Sequence, residues 1–142
     1  MMSSKTEKER KVINEMSVLE LQKIQASMPK TNSLIIIKFG ADWCGPCKKI
    51  APLYYEFIKT APEEIIFADI DVDDNLDLYI NLKRNKMVSG IPVFLAYYGG
   101  VKRDKWFIPD DSVVGADEKV VLEFFARCVK KVGGQDGYTY FT

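Results

Sequence analysis

The chain contains no histidine, only three cysteines and no excess of either charge, with 20 Lys and Arg against 20 Asp and Glu. Without histidine, two neighbouring cysteines and a single remote third do not complete the four-ligand set of a zinc site. Three thiols also cannot build a closed disulfide framework. The balanced charge leaves no summed positive field for a phosphate backbone, and no basic stripe interleaved with aromatics stands out. Nucleic acid is therefore not expected as a partner. Long apolar runs are lacking too: the longest aliphatic stretch covers residues 34 to 37, far short of a membrane span. Residues 1 to 11 are polar and lack the apolar centre of a secretory signal. These absences predict a soluble, cytoplasmic protein that holds no metal and binds no membrane.

What is present describes an ordinary globular chain. Its 142 residues, 47% hydrophobic and 28% charged, suffice for one core and are short for two. Residues 1–10 read as a polar N-terminal tail and residues 133–142, which open on Gly133 and Gly134, as a glycine and aromatic C-terminal tail. A single domain is expected over 11–132.

Within it, Ser17 and Glu20 have capping-box spacing, and Val18, Leu19, Leu21 and Ile24 follow at helical intervals, so a helix is predicted over 18 to 27. Pro29 ends it. Residues 33 to 39 are β-branched and almost continuously apolar, as suits a strand covered on both faces at the sheet centre. Ile50, Leu53, Tyr54, Phe57 and Ile58 lie on one face of a following helix, which Pro52 is placed to kink. A strand over 65 to 70 and a helix around Leu76, Tyr79, Ile80 and Leu82 continue a βαβα alternation. Two strands, 92 to 98 and 101 to 107, are predicted around Gly99 and Gly100, with a last helix over 117 to 131. In that helix Cys128 shares a face with Phe124, Phe125 and Val132 and reads as a packed core sulfur. The fold class is α/β, one mixed sheet flanked by helices.

The chemistry sits in Trp43-Cys44-Gly45-Pro46-Cys47-Lys48. Cys44 stands where a strand gives way to a helix, close to unpaired backbone N–H groups and the positive end of the helix dipole, both of which favour a thiolate. Cys47, one turn on, lies on the same side and can close a disulfide with it. Gly45 and Pro46 permit the turn, proline being tolerated where its missing N–H would be unpaired anyway. Thiol exchange follows: the Cys44 thiolate attacks a substrate disulfide and Cys47 resolves the mixed disulfide. The acidic run 69 to 77 is like the start of a calcium loop, but Asp74 replaces the turn glycine and Ile80 the closing glutamate.

The segment Phe39-Gly40-Ala41-Asp42-Trp43-Cys44-Gly45-Pro46-Cys47-Lys48 closely resembles the active-site region of the thioredoxin family. Pro52 resembles that family's helix-kinking proline, Gly90-Ile91-Pro92 its cis-proline loop, and Val114-Gly115-Ala116 the glycine segment before its last helix. The likeness runs over roughly residues 11 to 132. It implies a thioredoxin fold, a central mixed β-sheet with helices on both faces, and a protein-disulfide reductase with no cofactor beyond the Cys44–Cys47 disulfide. By the same resemblance, Ile91, Pro92 and Gly115 form a substrate groove, the Ile91 backbone pairs with an extended substrate, and Trp43 shields the sulfurs. Disulfide-containing proteins would be the substrates and an external dithiol reductase, such as a thioredoxin reductase, the electron donor, with the chain acting as a monomer. Within the same fold, a disulfide isomerase or oxidase, or a binding module with little turnover, are the alternatives. Oxidising relatives usually carry a histidine between the cysteines, which is absent here.

Two departures from the family stand out. Lys38 occupies the place where the family keeps a buried aspartate that assists proton transfer, and Asp69 the place of its lysine partner. The pair is reversed. One reading is an ion pair under Cys47 in which Asp69 or a water takes the proton; the other is a lysine reaching solvent and a solvated strand-end aspartate. The spacing between Gly100 and Gly115 is longer than the family's hairpin by about seven residues. That insertion, with Trp106, Phe107, Pro109, Asp110 and Asp111, is either a groove element that selects substrates or a plain surface extension.

Overall fold

A computed structural model describes residues 9–133. The described chain forms β1 (Val12–Ile13), α1 (Val18–Ser27), β2 (Leu34–Gly40), α2 (Gly45–Thr60), β3 (Ile65–Asp71), α3 (Leu76–Arg84), β4 (Val93–Tyr98), β5 (Asp111–Val114) and α4 (Glu118–Lys131). The strands make one mixed sheet in the order β1-β3-β2-β4-β5. β2 runs parallel to β3, which runs parallel to β1, while β4 is antiparallel to both β2 and β5.

Every residue of β2 is buried, as expected of a central strand covered on both faces. The pleat then sorts its side chains by parity. Leu34 and Ile36 join a core with Ile50, Tyr54, Phe57, Phe124 and Phe125, which places α2 and α4 on that face. Ile35, Ile37 and Phe39 join the opposite core with Leu21 of α1 and Leu78 and Leu82 of α3. Phe57 and Phe125 stack at 4.3 Å between centroids, tying α2 to α4, and the buried Tyr54 hydroxyl donates to the Ala68 carbonyl at 2.8 Å. Parity sends Lys38 to the α2 face as well, opposite Asp69 in the β3 register, and this sets up the site.

The capping box at α1 is complete: Ser17 Oγ accepts from the Glu20 N–H at 3.1 Å and Glu20 accepts from the Ser17 N–H at 2.8 Å. α2 runs through Pro52, whose missing N–H removes one rung of the helix.

The sequence reading needs two amendments. Residues 101 to 107 do not form the second strand of a tight hairpin; the strand is β5, Asp111–Val114, paired with β4. The apolar Val101, Trp106 and Phe107 suggested a strand, but side chains satisfy the local backbone in place of a ladder. The Arg103 guanidinium donates to the carbonyls of Ile108 at 3.0 Å and Tyr98 at 3.2 Å and pairs with Asp110. The Asp110 carboxylate accepts from the Tyr98 N–H at 2.7 Å, Tyr97 donates to the Phe107 carbonyl at 2.9 Å, and Gln25 of α1 donates to that of Trp106 at 2.9 Å. The short edge strand β1 has no two-residue signature and was not expected. Arg10, assigned to the polar tail, donates to the carbonyls of Ile58, Ala61 and Pro62 at the end of α2. Most of the two expected tails, including the aromatic residues at 138, 140 and 141, lies outside the described residues.

Candidate functional site

β2 delivers the chain to the site and α2 begins it. After Gly40 the backbone turns, with the Cys44 N–H donating to the Ala41 carbonyl at 3.1 Å. Cys44 is the N-cap of α2: its backbone is extended and its Sγ accepts from the Cys47 N–H at 3.2 Å, the role a serine or aspartate oxygen plays at other helix starts. Pro46 occupies the first turn, where no intrahelical donor is needed. Cys44 and Cys47 are joined in a disulfide, with Cα atoms 5.3 Å apart. Both are buried, Cys44 at 6% and Cys47 at 3% exposure.

Three segments surround the disulfide. The Ile91–Pro92 peptide bond is cis, and the Ile91 carbonyl oxygen lies 3.9 Å from Cys44 Sγ. The Gly115 N–H donates to the Pro92 carbonyl at 2.8 Å, which holds the Gly115 segment beside the cis-proline loop. Gly115 itself has φ of 101°, in the left-handed region that glycine reaches without strain. Trp43 is 69% exposed, and its Nε1–H donates to Asp73 at 2.8 Å. It is held by a polar tether at the surface and is not a core residue. Lys48 is exposed on the first turns of α2.

Behind the disulfide lies a cavity of about 280 Å³ whose lining includes Lys38, Gly40, Cys47, Tyr55 and Asp69. Lys38 is 4% exposed, and its Nζ stands 3.7 Å from Asp69 Oδ1. The second Asp69 oxygen accepts a hydrogen bond from the Tyr55 hydroxyl at 2.7 Å. That bond, followed by partial burial and the carboxylate charge, pushes the Tyr55 phenol up to about 12, so Tyr55 remains a donor. The ammonium also lies 5.9 Å from the Tyr54 ring centroid and 6.0 Å from that of Tyr55, within range of cation–π attraction. The structure therefore brings Lys38 and Asp69 together under Cys47; the solvent-reaching lysine does not occur.

Two residues of this surround escaped the sequence reading. Tyr55 had a usable signal, since Cys47, Ala51 and Tyr55 follow at intervals of four and so share a helix face, and all three line the cavity. Asp73 had none, because its pairing with Trp43 spans 30 residues of sequence.

The insertion between β4 and β5 leaves the sheet at the end away from the disulfide. Phe39 pairs with Val93 at the disulfide end of β2, whereas Leu34 pairs with Tyr98 at the other end, where the insertion starts. Five residue steps of about 3.4 Å put its start roughly 17 Å away along the strands, and its end returns beside Ala96, whose carbonyl accepts from the Asp110 N–H at 2.9 Å. Cys128 is fully buried in the α2–α4 core, and burial pushes its thiol up, far from any reactive range. Among the described residues no group of three or more His, Cys, Asp or Glu could hold a metal, and no helix is long and apolar enough to cross a membrane.

A disulfide that caps a helix after the central strand of such a sheet, with a cis-proline loop against one sulfur, defines a thiol-disulfide exchange protein. Residues 15–110 match the thioredoxin family model, and the chain belongs to the thioredoxin family. It is 36% identical over 100 residues to thioredoxin 1 of Plasmodium falciparum, an alignment covering 70% of this chain and 88% of that one. It is 31% identical over 97 residues to a bifunctional thioredoxin reductase/thioredoxin of Mycobacterium leprae, covering 68% of this chain and 19% of the longer protein. Among solved structures, Fasciola hepatica thioredoxin aligns with a TM-score of 0.61 and 28% identity over 81% of this chain and 98% of its own. The protein is accordingly a thiol-disulfide oxidoreductase, and its activity is protein-disulfide reduction.

Proposed function

We propose that Cys44 is the attacking sulfur and Cys47 the resolving one. The observation that carries this assignment is the position of Cys44 at the N-cap and against the Ile91 carbonyl, with Cys47 lining the cavity behind. In the reduced protein the helix start favours the Cys44 thiolate. It attacks one sulfur of a substrate disulfide, forming a mixed disulfide and releasing the other sulfur as a thiolate that takes up a proton. Cys47, deprotonated, then attacks Cys44 and expels the reduced substrate. Two electrons have passed to substrate and the protein holds its disulfide again.

Ile91, Pro92, Gly115 and Trp43 would seat the substrate as an extended segment beside Cys44, and Gly45, Pro46 and Lys48 complete the motif. Asp69 would accept the Cys47 proton, directly or through water in the cavity, with Lys38 as its ion-pair partner. Disulfide-bonded proteins are the proposed substrates. An external dithiol reductase of the thioredoxin reductase kind is the proposed donor, an assignment supported by the relative in which the two are fused. A monomer working in the reducing cytoplasm suits this cycle.

The test is a trap. A Cys47→Ser variant should accumulate mixed disulfides through Cys44 with protein substrates, while Cys44→Ser should accumulate none. Trapping through position 47 instead would reverse the assignment.

A further inference from the structure

A buried lysine needs a reason, because few lysines leave water unless a partner compensates the charge. Among the described residues only Ser33 and Lys38 are both polar and buried. Lys38 lies on the α2 face of β2, and its stem runs toward the redox sulfur. A β-carbon placed on Gly40 would stand 3.5 Å from Cys47 Sγ and 3.8 Å from Lys38 Cε, with no atom of Asp69 among its three nearest neighbours. The lysine stem and the redox sulfur therefore both border the space beside Gly40, and Lys38, Asp69 and Cys47 line one cavity. The carboxylate is only a partial counterweight. It stands 3.7 Å from the ammonium, beyond ordinary hydrogen-bond length, and its second oxygen is taken by Tyr55 on the outer side. Asp42, Asp71 and the exposed Lys48 also line the cavity, and among the described residues the ion pair of Lys38 is with Asp69.

We propose that Lys38 sets the redox poise of the Cys44–Cys47 couple: its ammonium, held behind Cys47, stabilises the anionic sulfur of the reduced pair and makes the protein a weaker reductant. This rests on the exchange reading given above. The balance makes the sign explicit. When two glutathione thiols reduce the site, the Cys44–Cys47 bond breaks, a disulfide joins the two glutathione sulfurs, and their two protons pass to the protein sulfurs. Where one sulfur of the reduced pair stays a thiolate, one of those protons goes to solvent. A cation beside that thiolate lowers the free energy of the reduced protein and leaves the neutral disulfide nearly untouched. The equilibrium shifts toward reduced protein and the potential becomes less negative. The substrates that suit such a donor are exposed, easily reduced disulfides, not deeply stable structural ones.

The experiment is a redox titration of the full chain in glutathione buffers, with far-UV circular dichroism to confirm folding. Lys38→Met should move the exchange equilibrium at least tenfold toward the protein disulfide, a shift of about 30 mV to more negative potential. Asp69→Asn, which leaves the cation uncompensated, should move it the opposite way. A folded Lys38→Met protein with an unchanged or less negative potential overturns the proposal, as does an Asp69→Asn shift of the same sign as Lys38→Met. Should Lys38→Met not fold, the double variant Lys38→Met/Asp69→Asn is compared with Asp69→Asn alone, and it must lie at least tenfold to the disulfide side. A wild-type chain with no reversible couple would defeat the exchange reading itself, whereas a couple that titrates but ignores Lys38 defeats only this inference.

Discussion

Tyr55 donates a 2.7 Å hydrogen bond to Asp69, the carboxylate that faces Lys38 across 3.7 Å. The phenol thereby fixes the orientation of the carboxylate that partners the buried lysine. Helix α2 holds the tyrosine and strand β3 the aspartate, so the bond also ties helix to sheet.

Tyr55→Phe removes that bond and should lower stability by about 1 kcal/mol in urea unfolding near neutral pH, toward the low end because the contact reaches solvent. The pH dependence has a definite sign. The phenol is raised from 10.0 to about 12 in the folded protein, so its contribution is full below pH 10 and fades as pH rises to about 12. The stability gap between wild type and Tyr55→Phe should stay constant up to pH 10 and close above it. A gap that widens there would contradict the assignment.

Arg103→Ala removes the partner of Asp110, a carboxylate whose side chain is only 18% exposed, and also breaks two donors to the backbone. Stability should fall by about 2 to 4 kcal/mol. Because the loop sits at the far end of β4, kcat/KM for protein disulfides at a temperature where the variant is folded should stay within about twofold of wild type. A large loss of kcat/KM in folded protein would return the insertion to the groove.

Trp43 is exposed and tethered to Asp73, so Trp43→Ala should cost less than about 1 kcal/mol of stability. Reduction of a protein disulfide should nevertheless drop by about tenfold in kcat/KM, or ~1.4 kcal/mol of transition-state binding. A small-molecule disulfide, which does not span the groove, should be affected much less. Equal losses for both substrates would show that Trp43 acts on the sulfurs and not on substrate seating.

Alkylation separates the three cysteines. In the native reduced protein, iodoacetamide should modify position 44 first, position 47 more slowly, and spare Cys128, whose thiol is fully buried and pushed up by burial. Mass spectrometry should find the third adduct only after unfolding. Native labelling at 128 would mean that the α2–α4 core opens locally.

Much of the fold was readable where signals are local. The Ser17 and Glu20 pair marked the start of α1, the apolar stretch of β2 marked the sheet centre, and helical spacing of Val121, Phe124, Phe125 and Cys128 marked the buried face of α4. The segment after Gly100 misled because Val101, Trp106 and Phe107 have strand-like side chains. Whether such residues pair in a ladder depends on what else can satisfy their backbone, and here Tyr97 and Gln25 do so from elsewhere. β1, with only two residues, has too little periodicity to announce itself.

By itself the sequence determined the chemistry that depends on neighbours along the chain. Two sulfurs three residues apart at the start of a helix, with proline between them, can exchange disulfides wherever the sheet sends them. Only the tertiary structure decided what those sulfurs face. The β2–β3 register set Lys38 against Asp69, the helical turn of α2 brought Tyr55 to the carboxylate, and the antiparallel run of β4 started the insertion at the end of the sheet away from the disulfide. Such contacts join residues far apart in sequence, and their energy comes from burial and pairing across elements, which no short window of residues encodes.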